Sequence, residues 1–206
     1  MYSKEINLDD LLNGKTAVFK PNEYFNIIVG ENGTGKSDLI KNLEEFLKGP
    51  AGEDVYNLTV FINDCTNKEV IKLINYYVHE KFETMDRFYL HKFLANAEIF
   101  CKSKFFYENG ELLVERGGAK RDLDWLSSGE LRYLSLILPV CISNNRAVIF
   151  VADDIETHLS IQGQKHLLTT FHDINPNAQF FITTHSPSIF IEHEDDVLYI
   201  DDILKD

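Results

Sequence analysis

Gly30-Glu31-Asn32-Gly33-Thr34-Gly35-Lys36-Ser37 is the stretch on which the reading of this chain turns. The apolar run 24–29 (YFNIIV) precedes it and reads as a strand. Leu39, Ile40, Leu43, Phe46 and Leu47 follow at helical spacing up to Gly49-Pro50, so 37–48 reads as an amphipathic helix. Strand, glycine loop and helix together give G-x-x-x-x-G-K-[ST], whose backbone N–H groups turn inward around phosphate oxygens. The helix start adds its positive dipole end. At average composition the pattern arises by accident in about one chain of this length in a hundred. Its placement after a strand and before a helix makes accident a poor account. Gly30, Glu31, Asn32, Gly33, Thr34, Gly35, Lys36 and Ser37 are therefore candidate nucleotide ligands. In such a loop Lys36 reaches the β- and γ-phosphates and the Ser37 hydroxyl takes Mg²⁺.

Outward from the loop, strands alternate with helices. Residues 16–19 (TAVF), 58–62 (LTVFI), 147–152 (AVIFVA), 179–183 (QFFIT) and 197–200 (VLYI) read as further strands, and the continuous apolar run 147–152 as one buried on both faces. Residues 67–100 are mostly helical in periodicity, with a stripe of Ile71, Ile74, Tyr77 and Val78; 128–143 and 157–172 are also helical. Asn109-Gly110 between the apolar runs 105–107 and 112–114 predicts a hairpin, and 116–121 (RGGAKR) a loop with three bases. The order predicts an α/β fold: helices flank a mixed, mainly parallel sheet in three layers. One domain over 1–206 is expected, with core at about 1–66 and 101–206 and a small helical insert at about 67–100.

Composition narrows the function classes. The chain has 206 residues, 44% hydrophobic and 26% charged, so it is neither disordered nor fibrous. Thirty-three acids against 20 bases leave a net charge of −13, which disfavours a whole-surface grip on nucleic acid. The acidic, polar start has no signal-peptide pattern, and the most apolar stretch, 131–142, is too short to span a bilayer. Cys65, Cys101 and Cys141 are scattered, with no disulfide framework. A cytoplasmic protein without membrane insertion is expected.

Three further motifs bring in a resemblance. Leu126-Ser127-Ser128-Gly129-Glu130 resembles the ATP-binding-cassette (ABC) signature, LSGGQ or LSGGE; residues 147–154 (AVIFVADD) resemble a Walker B strand; and Thr183-Thr184-His185-Ser186 resembles the segment bearing the switch histidine. With the phosphate loop they follow the order of an ABC-type P-loop ATPase head, and the likeness covers about 6–202. The wording is similar to the soluble branch, that of SMC, RecF and OLD-family or antiphage-defence ATPases, and Glu156 to Leu159 match its Glu-x-x-Leu D-loop. Residues 38–125 are all that separates Ser37 from Leu126, too few for a coiled-coil arm beside a sheet and hairpin.

The resemblance implies roles residue by residue. Asp153 would hold Mg²⁺ with Ser37. Asp154 would stand where the catalytic glutamate stands, and His185 would contact the γ-phosphate. Ser127, Ser128 and Gly129 would meet the γ-phosphate held by a second head, of the same or another chain. The catalytic set is then Asp154, His185, Lys36 and Ser127, with ATP and Mg²⁺ as cofactors. Asp38 stands beside the α-phosphate in place of the usual Thr or Ser. Asp154 is one methylene shorter than glutamate, which implies slow hydrolysis. The Q-loop glutamine is absent, since Gln162, Gln164 and Gln179 all follow the Walker B strand. Asn63 or Asp64 are the candidate substitutes, and Phe19 or Tyr24 the candidate adenine-stacking aromatics. The expected function is an ATP-dependent dimerisation switch for a protein effector, such as a nuclease or toxin in antiviral defence. The alternative is a DNA-repair or DNA-sensing ATPase using Lys102, Lys104, Arg116, Lys120, Arg121 and Arg132, and behind it a transporter subunit.

Overall fold

A computed structural model describes residues 4–9, 11, 14–49, 59–62, 66–82, 87–143 and 145–205. Its elements run β1 (Ile6–Leu8), β2 (Thr16–Phe19), β3 (Phe25–Val29), α1 (Lys36–Lys48), β4 (Thr59–Ile62), α2 (Asn67–Phe82), α3 (Arg87–Cys101), β5 (Lys104–Glu108), β6 (Glu111–Arg116), β7 (Ala119–Asp122), α4 (Ser128–Ile142), β8 (Ile149–Ala152), α5 (Ile161–Ile174), β9 (Gln179–Thr184), α6 (Pro187–Phe190), β10 (Val197–Tyr199), α7 (Ile200–Ile203) and β11 (Leu204–Lys205). They fall into two compact units, one of 1–63, 146–156 and 176–206, the other of 64–145 and 157–175.

In the first unit a five-stranded sheet has the order β10-β3-β9-β8-β4, every neighbour pair parallel. β1, β2 and β11 form a separate antiparallel sheet. Helix α1 joins the two. Leu39, Ile40, Leu43 and Leu47 share one core with Ile6, Leu8, Ala17 and Phe19 of the small sheet and with Ile28, Ile149, Val151 and Phe181 of the large one. The i, i+4 rhythm of α1 thus buries a wide apolar stripe between sheets. β8 and β9 are buried along their whole length, which is why their sequences do not alternate. Register sets Phe25 beside Phe180 and Phe180 beside Phe150, and the three rings stack at 5.4 and 5.1 Å. Asn26, fully buried in β3, is satisfied: its Oδ1 accepts from the Asn22 N–H at 2.7 Å and its Nδ2 donates to the Phe180 carbonyl at 3.2 Å.

The second unit holds helices α2 to α5 and the antiparallel meander β5-β6-β7. Its core includes Val70, Ile74, Phe93, Leu112, Val114, Leu134 and Leu167. The hairpin at Asn109-Gly110 forms as predicted, with φ of 54° and 85° at the two turn residues. Residues 116–121 are not the predicted loop. Gly117 and Gly118, at φ 64° and 79°, make a two-residue turn that sends 119–122 back as a third strand. Two other boundaries shift. Ser160 caps α5, its hydroxyl accepting from the Gly163 N–H at 3.2 Å, so 157–160 are loop and not helix. The strand expected over 197–200 ends at Tyr199, and Ile200 opens a turn of helix with Asp201 and Asp202 at its positive end. Among the described residues no helix is long and apolar enough to cross a membrane.

Candidate nucleotide site

The phosphate loop leaves β3 at Val29 and enters α1 at Lys36. Gly33 and Gly35 sit at φ 82° and 100°, conformations that cost a side chain about 1–2 kcal/mol, and a Cβ on either would meet nothing within 4 Å. The space on that side of the loop is open. Gly30 is required for the opposite reason, since a Cβ there would lie 2.3 Å from Ile200 Cγ2. The Lys36 ammonium is buried under the loop and donates to the Gly30 and Glu31 carbonyls at 2.8 Å each. Thr34 Oγ1 donates to the Glu31 carbonyl, also at 2.8 Å, bracing the turn. Gly35 caps α1 with no side-chain acceptor, so its first-turn N–H groups face outward uncapped by the protein's own side chains. An open cradle, a fixed ammonium and an uncapped helix start suit a polyphosphate.

The other half of the site is built at the carboxyl ends of β8 and β9. Parallel register sets Ala152 beside Ile182, which brings the residues after β8 alongside Thr183. Thr183, fully buried, donates its hydroxyl to Asp153 Oδ1 and accepts the Asp154 N–H at 2.9 Å, while its carbonyl accepts the Ile155 N–H at 3.2 Å. Asp154 is thereby held at φ 43°. His185 lies beyond β9, with Nε2 3.5 Å from both Asp154 Oδ1 and Glu156 Oε1. Its backbone N–H donates to the same Glu156 oxygen at 2.8 Å. Burial raises the Asp154 carboxyl above its ordinary value, Asp153 and Glu156 repel its charge, and His185 and Lys36 only partly offset them. Asp153, Asp154 and the Ser37 hydroxyl at the start of α1 offer hard oxygen donors of the kind Mg²⁺ takes with a nucleotide, and the Lys36 ammonium complements the charge of its phosphates.

In the second unit, Ser127 is the N-cap of α4 in a full capping box. Its N–H and its hydroxyl both donate to Glu130 Oε2 at 2.8 Å, and its hydroxyl accepts the Glu130 N–H at 3.3 Å. Arg116 donates to the other Glu130 oxygen at 2.5 Å, and also to Ser103 Oγ and the Cys101 carbonyl. Burial alone would raise the Glu130 carboxyl, but the bonds from Ser127 and the Arg116 guanidinium outweigh it and hold the group low. Ser128 Oγ accepts from Asn67 Nδ2 at 3.4 Å, and the Gly129 backbone packs so closely on the His158 carbonyl that a Cβ would stand 2.6 Å from its oxygen. A cavity of about 1010 Å³ opens beside this helix start, lined by Ser127 to Glu130, Phe100, His158 and His166 among others.

The sequence singles out Asp153, Asp154 and His185, and the structure brings them together; Thr183 and Glu156, which hold them, carry no assigned role in the motifs. The basic set fares differently. Arg132 is buried, Arg116 is tied to Glu130, Lys120 pairs with Glu108 over the Phe106 ring, and Arg121 lies over Trp125. Arg132 is therefore not a phosphate contact, and three others are engaged within the chain. Phe19 is core and not an adenine platform. Asn63 and Asp64, the candidate substitutes for the Q-loop glutamine, lie outside the described residues, as does Cys65.

Residues 60–192 match the family described as "AAA domain, putative AbiEii toxin, Type IV TA system", and the chain belongs to it. Among solved structures, an SMC head bound to the C-winged helix domain of ScpA aligns with TM-score 0.72 at 12% identity, over 97% of this chain and 94% of that one. The SMC head domain from Thermotoga maritima aligns with TM-score 0.63 at 13% identity, over 93% and 92%. A putative ABC transporter ATP-binding protein from Pyrococcus furiosus aligns with TM-score 0.60 at 14% identity, over 98% and 100%. The fold is that of ABC- and SMC-type P-loop heads, as the motif order implies.

Proposed function

Starting from membership of that AAA family, we propose that the chain is a slow ATPase whose ATP-bound form is a dimer that engages a protein effector. The observation that carries the reading is the presence of two helix starts suited to an anion on one chain: the open phosphate cradle with Asp153, Asp154 and His185 beside it, and the start of α4 at Ser127, whose donors now hold the Glu130 carboxylate. In a head-to-tail pair, each chain's Ser127, Ser128 and Gly129 meet the γ-phosphate held by the other's loop, so ATP bridges the two.

Lys36, drawn off the Gly30 and Glu31 carbonyls, takes the β- and γ-phosphate oxygens. Glu31 to Gly35 and the first N–H groups of α1, near Asp38, wrap the remaining oxygens. Ser37 and Asp153 would hold Mg²⁺, which would supply neutralisation of the phosphates' charge when bound. Asp154 orients the attacking water and accepts its proton; its raised affinity for protons makes it a better base than a fully solvated aspartate. His185 donates to the γ-phosphate as charge develops. The short reach of an aspartate, off by about 1 Å from where a glutamate would place its oxygens, costs on the order of a hundredfold in rate. Hydrolysis removes the bridge and the pair separates.

A protein as the thing switched is supported by the net charge of −13 and by the SMC head relative, which is bound to a protein domain. The family description, with its toxin and antitoxin terms, supports a role in defence. The engagement of Arg116, Lys120 and Arg121 within the chain weighs against the DNA reading. The test is Asp154→Asn with ATP and Mg²⁺, followed by size exclusion with light scattering. An ATP-dependent dimer that outlasts the wild-type one is expected; monomers for both proteins at saturating ATP would refute the switch.

A further inference from the structure

We infer that Asp154, Glu156 and His185 form a binding site for a tetrahedral transition-metal ion such as Zn²⁺, distinct from the Mg²⁺ position at Ser37 and Asp153. Each residue offers one ligand atom, and the three atoms lie within 4.8 Å of one another. The two edges at His185 fit a tetrahedral ion. Bonds of 2.0–2.2 Å in a tetrahedron set neighbouring ligand atoms about 3.3–3.6 Å apart, whereas octahedral Mg²⁺ at 2.0–2.1 Å needs about 2.9 Å. His185 Nε2 stands 3.5 Å from Asp154 Oδ1 and 3.5 Å from Glu156 Oε1, on the tetrahedral edge and too long for good hydrogen bonds. An imidazole with two carboxylates is a zinc-type donor set and a poor one for Mg²⁺.

A second observation points the same way. Glu156 Oε2 is buried and has no hydrogen-bond partner among the described residues. A carboxylate so largely withdrawn from water carries a charge that is costly without a counter-ion, and a cation on Oε1, the oxygen that faces His185, would offset it. That oxygen already accepts the His185 N–H, which fixes the carboxylate in place before any ion arrives. Asp154 and His185 are each close to half exposed, so the site is open to solvent and leaves a fourth position for water.

On the catalytic reading above, an ion held here takes the carboxylate that should activate water and the imidazole that should face the γ-phosphate. The bound form is then a locked, inactive head, and micromolar transition metal becomes an inhibitor that excess Mg²⁺ does not relieve. Binding itself does not depend on that reading, which keeps the two separable. The experiment titrates the nucleotide-free protein with Co²⁺ and follows the visible d–d bands, whose intensity reports tetrahedral coordination, with Zn²⁺ competition by calorimetry. One strong site per chain is expected. Glu156→Gln and His185→Ala should each weaken it by more than the tenfold to hundredfold that losing a merely supporting group costs, while Asp153→Asn keeps it. Absence of the tetrahedral bands, or their loss in Asp153→Asn with retention in Glu156→Gln, overturns the site. Intact Co²⁺ binding without inhibition of ATP turnover would leave the site standing and remove Asp154 and His185 from the catalytic reading instead.

Discussion

Replacing Thr183 by Val tests the hub of the candidate site, because the two side chains differ in polarity far more than in volume. Thr183 is fully buried, and its hydroxyl serves two neighbours: it donates to Asp153 and accepts the Asp154 N–H at 2.9 Å. Valine leaves that N–H unpaired, at about 1–3 kcal/mol, and removes a bond to a charged acceptor worth about 1.5–3 kcal/mol. One more buried methyl returns about 0.8 kcal/mol. The net loss is about 2–5 kcal/mol, which at a slope of about 2 kcal/mol/M lowers a urea midpoint by about 1–2.5 M. Thr183→Ser keeps the hydroxyl and gives up only a methyl, about 1 kcal/mol. The expected order of stability is therefore wild type, Ser, Val. The Mg²⁺ concentration for half-maximal ATP turnover should rise tenfold or more in Val and little in Ser, since only Val frees Asp153 to rotate. If Val equals or exceeds wild type, packing governs the position and the hub argument is wrong.

Gly129→Ala should destabilise by about 1–2 kcal/mol although alanine is the better helix former by about 1 kcal/mol, because the new methyl meets the His158 carbonyl oxygen at 2.6 Å; a thermal melt showing an unchanged or raised midpoint would contradict the close packing. The kcat/KM for ATP should fall with decreasing pH at a pH above that of an ordinary aspartate, because Asp154, as the proposed base, must be deprotonated to accept a proton and its folded-state value is raised. That limb should disappear from the residual rate of Asp154→Asn. Burial pushes the Cys101 and Cys141 thiols up to about 12 each, so mass spectrometry after iodoacetamide at pH 8 should find both unlabelled in the folded protein and labelled in urea.

The parts legible in the sequence are those that a local rule fixes. Left-handed glycines at 33 and 35 announce the phosphate loop, and unbroken apolar runs announce β8 and β9, because strands buried on both faces have no polar alternation to show. Strand β7 was hidden because Ala119-Lys120-Arg121-Asp122 is largely exposed, so no apolar period marks it; only the Gly117-Gly118 turn could have signalled it. The Ser127-x-x-Glu130 box was readable as a helix start, though not the salt link to Arg116, which depends on how β6 passes α4. Thr183 and Glu156 stand in the quoted motifs, but the bonds they make were not legible for a similar reason. What they hold is decided by the parallel register of β8 on β9, a long-range pairing that their neighbours in sequence do not specify.

That capping box also constrains how a switch could work. The two donors Ser127 would offer to a γ-phosphate, its N–H and its hydroxyl, are both given to one Glu130 oxygen. A carboxylate already fills the place an anion would take, and two like charges at about 4 Å repel by about 1 kcal/mol in water and about 4 kcal/mol near a protein surface. Phosphate and Glu130 are then alternatives at Ser127, while the N–H groups of Ser128 and Gly129, in the first turn of α4, have no helical acceptor and stay open to either state. On the proposed switch Arg116 would set the balance: by holding the other Glu130 oxygen at 2.5 Å it would give the carboxylate somewhere to go when phosphate arrives. A head whose Arg116 is removed should therefore keep Glu130 on Ser127, and bind a bridging nucleotide less well although its own phosphate loop is untouched.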